Sequence, residues 1–361
     1  MKIGIIGAGQ LGRMLALAGY PLGLRFVFLD QSSDAPGAQV GRIIEGAFDD
    51  REKLAELARE VDVITFDVEN VPVEAVRDIS TLKPFLPSVE VLAASQDRLI
   101  EKQLFTHLGI PTPKFAPVDA LDDLRVAVAR IGLPGMLKTR RLGYDGRGQF
   151  LLQEAADVER AWEQLGKTPL IYEAFVKFSR EISIIGARST QGEIRYYPIC
   201  ANTHSQGILR YSTAPYRNAA LQKTAEKYLR RIFQRFAYAG ILTVEFFVHR
   251  GRLIANEMAP RVHNSGHWTI EGAETSQFEN HLRAILGLPL GSTAAIGHSA
   301  MMNFIGEIPS LAGALRIEGL HFHSYGKQPR PQRKLGHCTI NSRSSATRDQ
   351  ALRKLLKMDL R

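Results

Sequence analysis

Hydrophobic and polar residues follow two different periods in the first quarter of the chain. Short apolar runs predict buried strands at residues 2–6, 25–29, 42–45, 61–66 and 84–86. Between residues 10 and 20, apolar side chains recur at helical spacing instead. Strands that alternate with helices predict a parallel α/β sheet for this part of the chain. Pro72 is placed to open a further helix at its first position.

The pattern changes beyond residue 97. Helices are predicted at residues 97–108, 121–131, 220–239 and 348–357, and strands at 135–139, 149–152, 170–176, 181–187, 194–199, 241–248 and 253–257. Gly109 is suited to end the first of these helices, and residues 111–113 read as a linker. Runs of strands set apart from runs of helices predict antiparallel α+β structure. The last part of the chain, from about residue 298, is predicted to be a small strand-rich unit closed by a helix.

Glycines near the N-terminus form a G-x-G-x-x-G pattern at Gly7, Gly9 and Gly12, and Asp30 ends the next predicted strand. This spacing is typical of dinucleotide-binding turns, in which the acidic residue binds a ribose. Glycine also lets other anions approach a helix N-terminus. It packs strand against helix in many α/β units as well. The motif alone leaves a dinucleotide, another anion and a structural role open.

A second glycine-rich segment, residues 138–149, combines four cationic side chains with three glycines. Backbone amides freed by glycine, together with cations, cradle phosphate groups. Lys138 is expected to project from the preceding strand towards a phosphate. The alternative is a basic hairpin turn in water, but unpaired cations would repel one another there. The segment lacks the G-K-[ST] ending of a Walker loop.

Two glutamates occupy neighbouring predicted strands, 243–248 and 253–257, which form a hairpin. A turn centred on Gly251 places Glu245 opposite Glu257, with their β-carbons about 5 Å apart. Magnesium would relieve the repulsion, because it binds one or two carboxylates together with substrate phosphates. A register that differs by one residue would put the two acids on opposite faces.

Composition narrows the classes of function. Hydrophobic residues make up 45% and charged residues 23% of the 361 residues, which predicts a folded protein with a large core. The net charge of +9 is spread along the chain except at residues 327–334, which favours phosphorylated small molecules over nucleic acid. No apolar run is long enough to suggest a membrane partner. Cys200 and Cys338 give neither a disulfide framework nor a zinc spacing, so a reducing cytoplasm is expected.

Taken in order, these motifs resemble the N5-carboxyaminoimidazole ribonucleotide synthetases, ATP-grasp enzymes of bacterial purine biosynthesis. The resemblance extends over nearly the whole chain and rests on residues 9–14, 69–72, 97–98, 102–103, 143–149, 206–210, 256–269 and 333–337. The block 256–269 is the most specific. Departures at Asp67, Val68, Cys200 and Ala201 concern the edge of the expected pocket.

The resemblance implies an ATP-grasp fold of mixed α/β and α+β class. Its parts would be a Rossmann-like parallel-sheet domain (1–96), a linker helix with a lid domain (97–172) and a C-terminal α+β domain (173–361). The implied reaction converts ATP, bicarbonate and 5-aminoimidazole ribonucleotide to the N5-carboxylated ribonucleotide, ADP and phosphate through carboxyphosphate. Mg²⁺ would be the cofactor, with Mn²⁺ as an alternative. A homodimer in the cytoplasm is implied as well.

Roles follow by position from the same resemblance. The ATP-binding residues would be Arg98, Lys138, Gly143, Tyr144, Asp145, Gly146, Arg147, Gly148, Gln149, Glu173, Ala174, Phe175, Val176, Glu181, His204, Asn256 and Glu257. The ribonucleotide would contact Gln10, Leu11, Glu69, Asn70, Tyr144, His263, Asn264, Arg333 and Lys334. Catalysis would involve Asp145, Arg147, Arg261 and Lys334, and the metal ion would bind Glu245 and Glu257.

Other interpretations are weaker. A formate-using glycinamide ribonucleotide ligase would share the ATP machinery, but residues 263–268 favour the bicarbonate enzyme. An NAD-dependent oxidoreductase would rest only on residues 7–30 and would leave the second glycine-rich segment without a role. A non-catalytic nucleotide sensor would not need Lys138, Glu257 and Arg261 together. For Trp268 we prefer a packing role in the core.

Overall fold

The strands form three sheets. The computed structural model describes residues 1–143 and 145–358. Within these residues seventeen strands form sheets of four, nine and four strands. None of the helices in this part of the chain has the length and hydrophobicity that spanning a bilayer requires.

The first sheet is parallel and confirms the predicted α/β beginning. Its strands are β1 (Lys2–Ile6), β2 (Arg25–Asp30), β3 (Arg42–Glu45) and β4 (Val63–Phe66), in the order β3-β2-β1-β4. Its helices are α1 (Gln10–Gly19), α2 (Arg51–Glu60), α3 (Val73–Ser80) and α4 (Val89–Ser95). Pro72 lies one residue before α3 instead of opening it, and the segment predicted as a strand near residue 85 makes only an isolated bridge to Ile64.

The second sheet is small and antiparallel. It follows the linking helix α5 (Arg98–His107), which Asp97 caps through the amide of Leu99 at 3.0 Å. Its elements are β5 (Phe115–Val118), α6 (Leu121–Ile131), β6 (Gly135–Thr139), β7 (Gln149–Leu152), α7 (Asp157–Leu165) and β8 (Leu170–Ala174). The strand order is β5-β8-β6-β7, so the glycine-rich segment connects two paired strands, β6 and β7.

The third sheet has nine strands. Its strands are β9 (Arg180–Arg188), β10 (Ile194–Tyr196), β11 (Cys200–Ser205), β12 (Ile208–Ala214), β13 (Gly240–His249), β14 (Arg252–Ala259), β15 (His298–Ile305), β16 (Leu320–Ser324) and β17 (Lys334–Ser342). The helices around it are α8 (Ala219–Phe236), α9 (Thr269–Gly272), α10 (Gln277–Ile285), α11 (Leu311–Ala314) and α12 (Ser345–Met358). Because β12 pairs with β15, the strand-rich C-terminal unit continues this sheet and has no sheet of its own.

Helix α10 joins the first sheet to the third. The imidazole of His281 is fully buried, with Nε2 2.9 Å from the Thr65 hydroxyl and Nδ1 accepting from the amide of Ile241 at 3.2 Å. Trp268 is also fully buried and packs edge-on against Tyr197, as expected for a core residue. The contacts of His281 thus join Thr65 in β4 to Ile241 in β13.

Candidate active site

The N-terminal glycine turn is filled by side chains of the chain itself. Oδ2 of Asp67 accepts the amide of Gly12 at 2.9 Å, and Oδ2 of Asp30 accepts the amide of Ala8 at 2.7 Å. A β-carbon placed on Gly7 would lie 1.8 Å from Oδ1 of Asp67, so glycine is needed because that carboxyl packs against it. Burial raises the pKa of Asp67 to about 6. The anion position of a dinucleotide turn is therefore occupied, which argues against the NAD interpretation.

The hairpin of β13 and β14 places the two glutamates opposite each other, as predicted, but the turn alone does not set this pairing. The turn at Arg250 and Gly251 has two residues, both with positive φ, and it pairs His249 with Arg252. If that register continued along the hairpin, Glu245 would pair with Asn256. A bulge between Glu245 and Phe246 shifts it by one residue, so that Glu245 faces Glu257.

The two carboxylates have different surroundings. Glu257 accepts a hydrogen bond from Nη1 of Arg98 at 3.0 Å. Burial by itself would raise the pKa of Glu257, but the charge and hydrogen bond of Arg98 together with the charge of Lys138 outweigh burial and lower that pKa. Glu245 accepts from the Ser183 hydroxyl at 3.2 Å and from the Asn202 amide at 3.4 Å. Burial raises the pKa of Glu245.

One cavity, of about 250 Å³, lies between the second sheet and the hairpin. In its wall Lys138 donates to Oε2 of Glu173 at 3.0 Å, and His204 forms an ion pair with Glu181. The remaining wall is partly aromatic. Among the residues that line it are Lys138, Asp145, Gly146, Gln149, Glu173, Ala174, Phe175, Val176, Phe178, Glu181, His204, Asn256 and Glu257. A mixture of apolar surface, cations and paired carboxylates suits a nucleotide with its phosphates.

A second cavity, of about 410 Å³, lies between the first sheet and the hairpin. Its wall includes an ion pair of Arg261 Nε with Glu69 Oε1 at 3.3 Å and one of Lys334 Nζ with Asp145 Oδ1 at 2.7 Å. Residues that line it include Gln10, Leu11, Glu69, Asn70, Arg261, His263, Asn264 and Lys334. Arg98, Asp145, Glu245 and Glu257 line both cavities. The two cavities therefore meet at one cation and three carboxylates, one of which belongs to the glycine-rich segment.

The glycine-rich segment lies over this junction. Nη2 of Arg98 donates to the carbonyl of Gly143 at 2.9 Å. Gly146 packs against the turn between β11 and β12, where a β-carbon would lie 2.9 Å from the carbonyl oxygen of Gln206. Asp145, Gly146 and Gly148 all have positive φ, so glycine at the last two positions makes this path of the backbone accessible. The segment closes both cavities from one side.

Comparisons with known proteins agree with this geometry. Three family models match the chain: a ribonucleotide synthetase preATP-grasp domain over residues 1–96, an ATP-grasp domain over 103–278 and a phosphoribosylaminoimidazole carboxylase C-terminal domain over 299–351. The N5-carboxyaminoimidazole ribonucleotide synthase of Pseudomonas aeruginosa is 53% identical over 96% of each chain. The chain belongs to the N5-carboxyaminoimidazole ribonucleotide synthase family.

Solved structures of family members superpose closely. The crystal structure of the Thermus thermophilus synthetase has a TM-score of 0.95 at 51% identity, covering 99% of this chain and 98% of that one. A synthase from Aspergillus clavatus, crystallised with ADP and 5-aminoimidazole ribonucleotide, has a TM-score of 0.93 at 30% identity, with coverages of 99% and 98%. The resemblance inferred from the sequence, the ATP-grasp fold and the assignment to ATP-dependent ligases are thus confirmed. The formate-using ligase, the oxidoreductase and the sensor find no support.

Most residues assigned by position line one of the two cavities, although Gly143, assigned to ATP, lines only the larger one. The exceptions are few: Arg147, Gly148 and Arg333 line neither cavity, and Tyr144 lies outside the described residues. Arg147 approaches Gln332, with Nη2 3.5 Å from its side-chain oxygen, and Arg333 donates to the carbonyl of Gln328 at 3.1 Å. The roles predicted for all of the site residues remain predictions.

Several residues around the site were not singled out for a role from the sequence. Lys327 binds the side-chain oxygen of Gln10, and burial lowers its pKa to about 8. Glu101 and Lys102 are buried beneath the hairpin. The basic run at residues 327–334 was a usable signal for Lys327. For Glu101 the sequence carries no signal, because an acid on an amphipathic helix normally faces solvent.

Proposed function

We propose that the smaller cavity binds ATP, that the larger binds 5-aminoimidazole ribonucleotide, and that the reaction takes place where the two meet. The family's reaction is the carboxylation of that ribonucleotide with bicarbonate and ATP, which gives N5-carboxyaminoimidazole ribonucleotide, ADP and phosphate. The observation that carries this proposal is the junction itself. Arg98, Asp145, Glu245 and Glu257 line both cavities, so a γ-phosphate and a reacting amine can meet there.

Magnesium fits the hairpin carboxylates. Glu245 and Glu257 are paired in register beside Asn256. Together these three side chains offer the oxygen ligands that magnesium prefers. No group of three or more potential ligands of the His, Cys, Asp or Glu type occurs in the described ranges, so substrate phosphates would complete the coordination. When bound, the ion neutralises phosphate charge. Lys138 and Arg98 add fixed cations on the same side.

The first chemical step makes bicarbonate electrophilic. A bicarbonate oxygen attacks the γ-phosphorus, the bond to the β-phosphate oxygen breaks, and carboxyphosphate and ADP form. Arg261, fixed by its ion pair with Glu69, lies in the ribonucleotide cavity and would hold the bicarbonate. The glycine-rich segment closes over the junction and excludes water, which would hydrolyse carboxyphosphate.

The second step carboxylates the amine. The amine nitrogen forms a bond to the carboxyl carbon, directly or after loss of phosphate from carboxyphosphate, and phosphate leaves. We assign Asp145 to accept the proton that the amine gives up, because it lines both cavities. Nζ of Lys334, 2.7 Å from Oδ1 of Asp145, holds this carboxylate beside the larger cavity.

We also propose the three-part division 1–96, 97–172 and 173–361, a homodimer and a cytoplasmic location. The boundary at residue 96 is supported by the limit of the preATP-grasp family model, and the boundary near residue 172 by the change from the second sheet to the third. The cytoplasm is supported by two free, buried cysteines. Light scattering on the purified protein would decide between a dimer and a monomer.

The test is ADP release by the purified protein with magnesium-ATP at controlled bicarbonate, with and without the ribonucleotide. ADP should form only with the ribonucleotide, and Glu257→Gln should abolish turnover. Glu163→Gln, on the exposed side of α7, is the matched control and should keep wild-type activity. ADP release with formate and glycinamide ribonucleotide in place of these substrates would contradict the assignment.

A further inference from the structure

The bulge in β14 puts two consecutive side chains on the same side of the hairpin. Ala255 and Met258 lie in the core between the sheet and α8. The residues between them, Asn256 and Glu257, both line the nucleotide cavity. In a regular strand consecutive side chains point to opposite faces, so one of this pair would otherwise point into the core. The bulge is therefore a condition for the proposed nucleotide site.

A bulge at the edge of a sheet leaves backbone groups without partners, and here helix α5 supplies them. β14 is the terminal strand of the nine-stranded sheet. Along its outer edge, Oε1 of Glu101 accepts the amide of Met258 at 2.7 Å. Nζ of Lys102 donates to the carbonyl of Ala255 at 3.3 Å and also to the carbonyl of Asn256. Two adjacent helix residues thus bind the backbone on both sides of Glu257.

Both side chains are withdrawn from water to make these contacts. Glu101 is 2% exposed and Lys102 is 1% exposed. Burying charged groups is costly unless they are paired and hydrogen-bonded. Lys102 also lies 3.7 Å from Glu173, which in turn pairs with Lys138 at 3.0 Å. An apolar pair would fill the same space at lower cost, so the polar atoms are used to hold the backbone of the bulge.

We propose that Glu101 and Lys102 are positioning residues that hold the β14 bulge, and thereby orient Asn256 and Glu257 towards the nucleotide and its metal ion. The inference rests on the nucleotide site proposed above. Neither residue lines the smaller cavity, so each acts on the nucleotide through the strand it binds, although Glu101 also lines the larger cavity. Burial raises the pKa of Glu101. A neutral acceptor at this position is therefore compatible with the bond to Met258.

The matched substitutions are Glu101→Gln, which keeps an oxygen acceptor, and Glu101→Met, which removes it. We expect Glu101→Met to raise the magnesium-ATP KM by at least about tenfold. Glu101→Gln should restore the magnesium-ATP KM to within about twofold of wild type. Lys102→Met, which removes the two carbonyl contacts, should raise the magnesium-ATP KM in the same way and provides a second route if Glu101→Met does not fold. Because Lys102 lines neither cavity, its ribonucleotide KM should change by less than about twofold.

A ligand-free measurement separates positioning from general damage. Hydrogen exchange of residues 253–259 should be at least about tenfold faster in Glu101→Met than in Glu101→Gln, with the first sheet unchanged. If residues 253–259 of Glu101→Met exchange at the wild-type rate and its magnesium-ATP KM is also that of wild type, the inference is wrong. Glu257→Gln distinguishes the two proposals. If that variant keeps its activity, the proposed site itself is wrong, whereas an inactive Glu257→Gln beside a normal Glu101→Met refutes only the positioning role.

Discussion

Replacing Asp67 with asparagine should remove one pH-dependent loss of stability. An aspartate in the unfolded chain ionises near pH 4, whereas burial raises the pKa of Asp67 to about 6 in the folded protein. Between these values the folded protein retains a proton that the unfolded chain has released. The free energy of unfolding therefore falls as the pH rises through this window and levels off above about pH 6.

The size of the effect follows from the two pKa values. A difference between about 4 and about 6 corresponds to about 3 kcal/mol. Asparagine cannot ionise and so escapes this penalty. Its side-chain oxygen can still accept the backbone amide of Gly12. Its NH2 group would take the place of Oδ1, which has no hydrogen-bond partner among the described residues. For a chain of this length, about 3 kcal/mol corresponds to a melting-temperature difference of about 4 °C.

Thermal unfolding followed by circular dichroism tests this. The melting temperature of Asp67→Asn relative to wild type should increase by about 4 °C between about pH 4 and about pH 7. Asp62→Asn, which alters an exposed carboxylate accepting the amide of Lys2, controls for the loss of one negative charge in the same sheet. A constant difference between Asp67→Asn and wild type at both pH values would refute the account of the filled glycine turn.

Three further substitutions test other parts of the structure. Lys138→Met should raise the KM for ATP by about tenfold or more with little change in the ribonucleotide KM, because it removes a cation only from the smaller cavity; equal changes in both would contradict this. Lys334→Met should do the reverse, because it removes a cation only from the larger cavity; a greater effect on the KM for ATP would argue against the assignment of the two cavities. His281→Phe should lower the free energy of unfolding by about 2–4 kcal/mol, because it leaves a buried hydroxyl and a buried amide without partners, and calorimetry showing no loss would argue against that junction.

The sequence by itself determined the local elements and the chemistry they carry. Strands β1 to β4 and the hairpin followed from short apolar runs, since a buried strand requires them wherever it lies. The glycine-rich segment and the acids Glu245 and Glu257 were found because phosphate and magnesium restrict the residue types that bind them. These signals depend only on neighbouring residues, and for that reason they could be read without the fold.

Tertiary structure decided everything that depends on distant segments. Asp67 fills the glycine turn from 55 residues away, and Glu101 reaches Met258 across 157 residues. Helices α7 and α10 and strands β11 and β12 were not predicted, because their sequences mix polar and apolar residues that only the sheet sorts into buried and exposed faces. The pairing of Glu245 with Glu257 is the clearest example, because it depends on both the local sequence and a distant helix. The turn at Arg250 alone sets a register off by one, and the bulge that corrects it is held by a helix that the hairpin sequence does not contain.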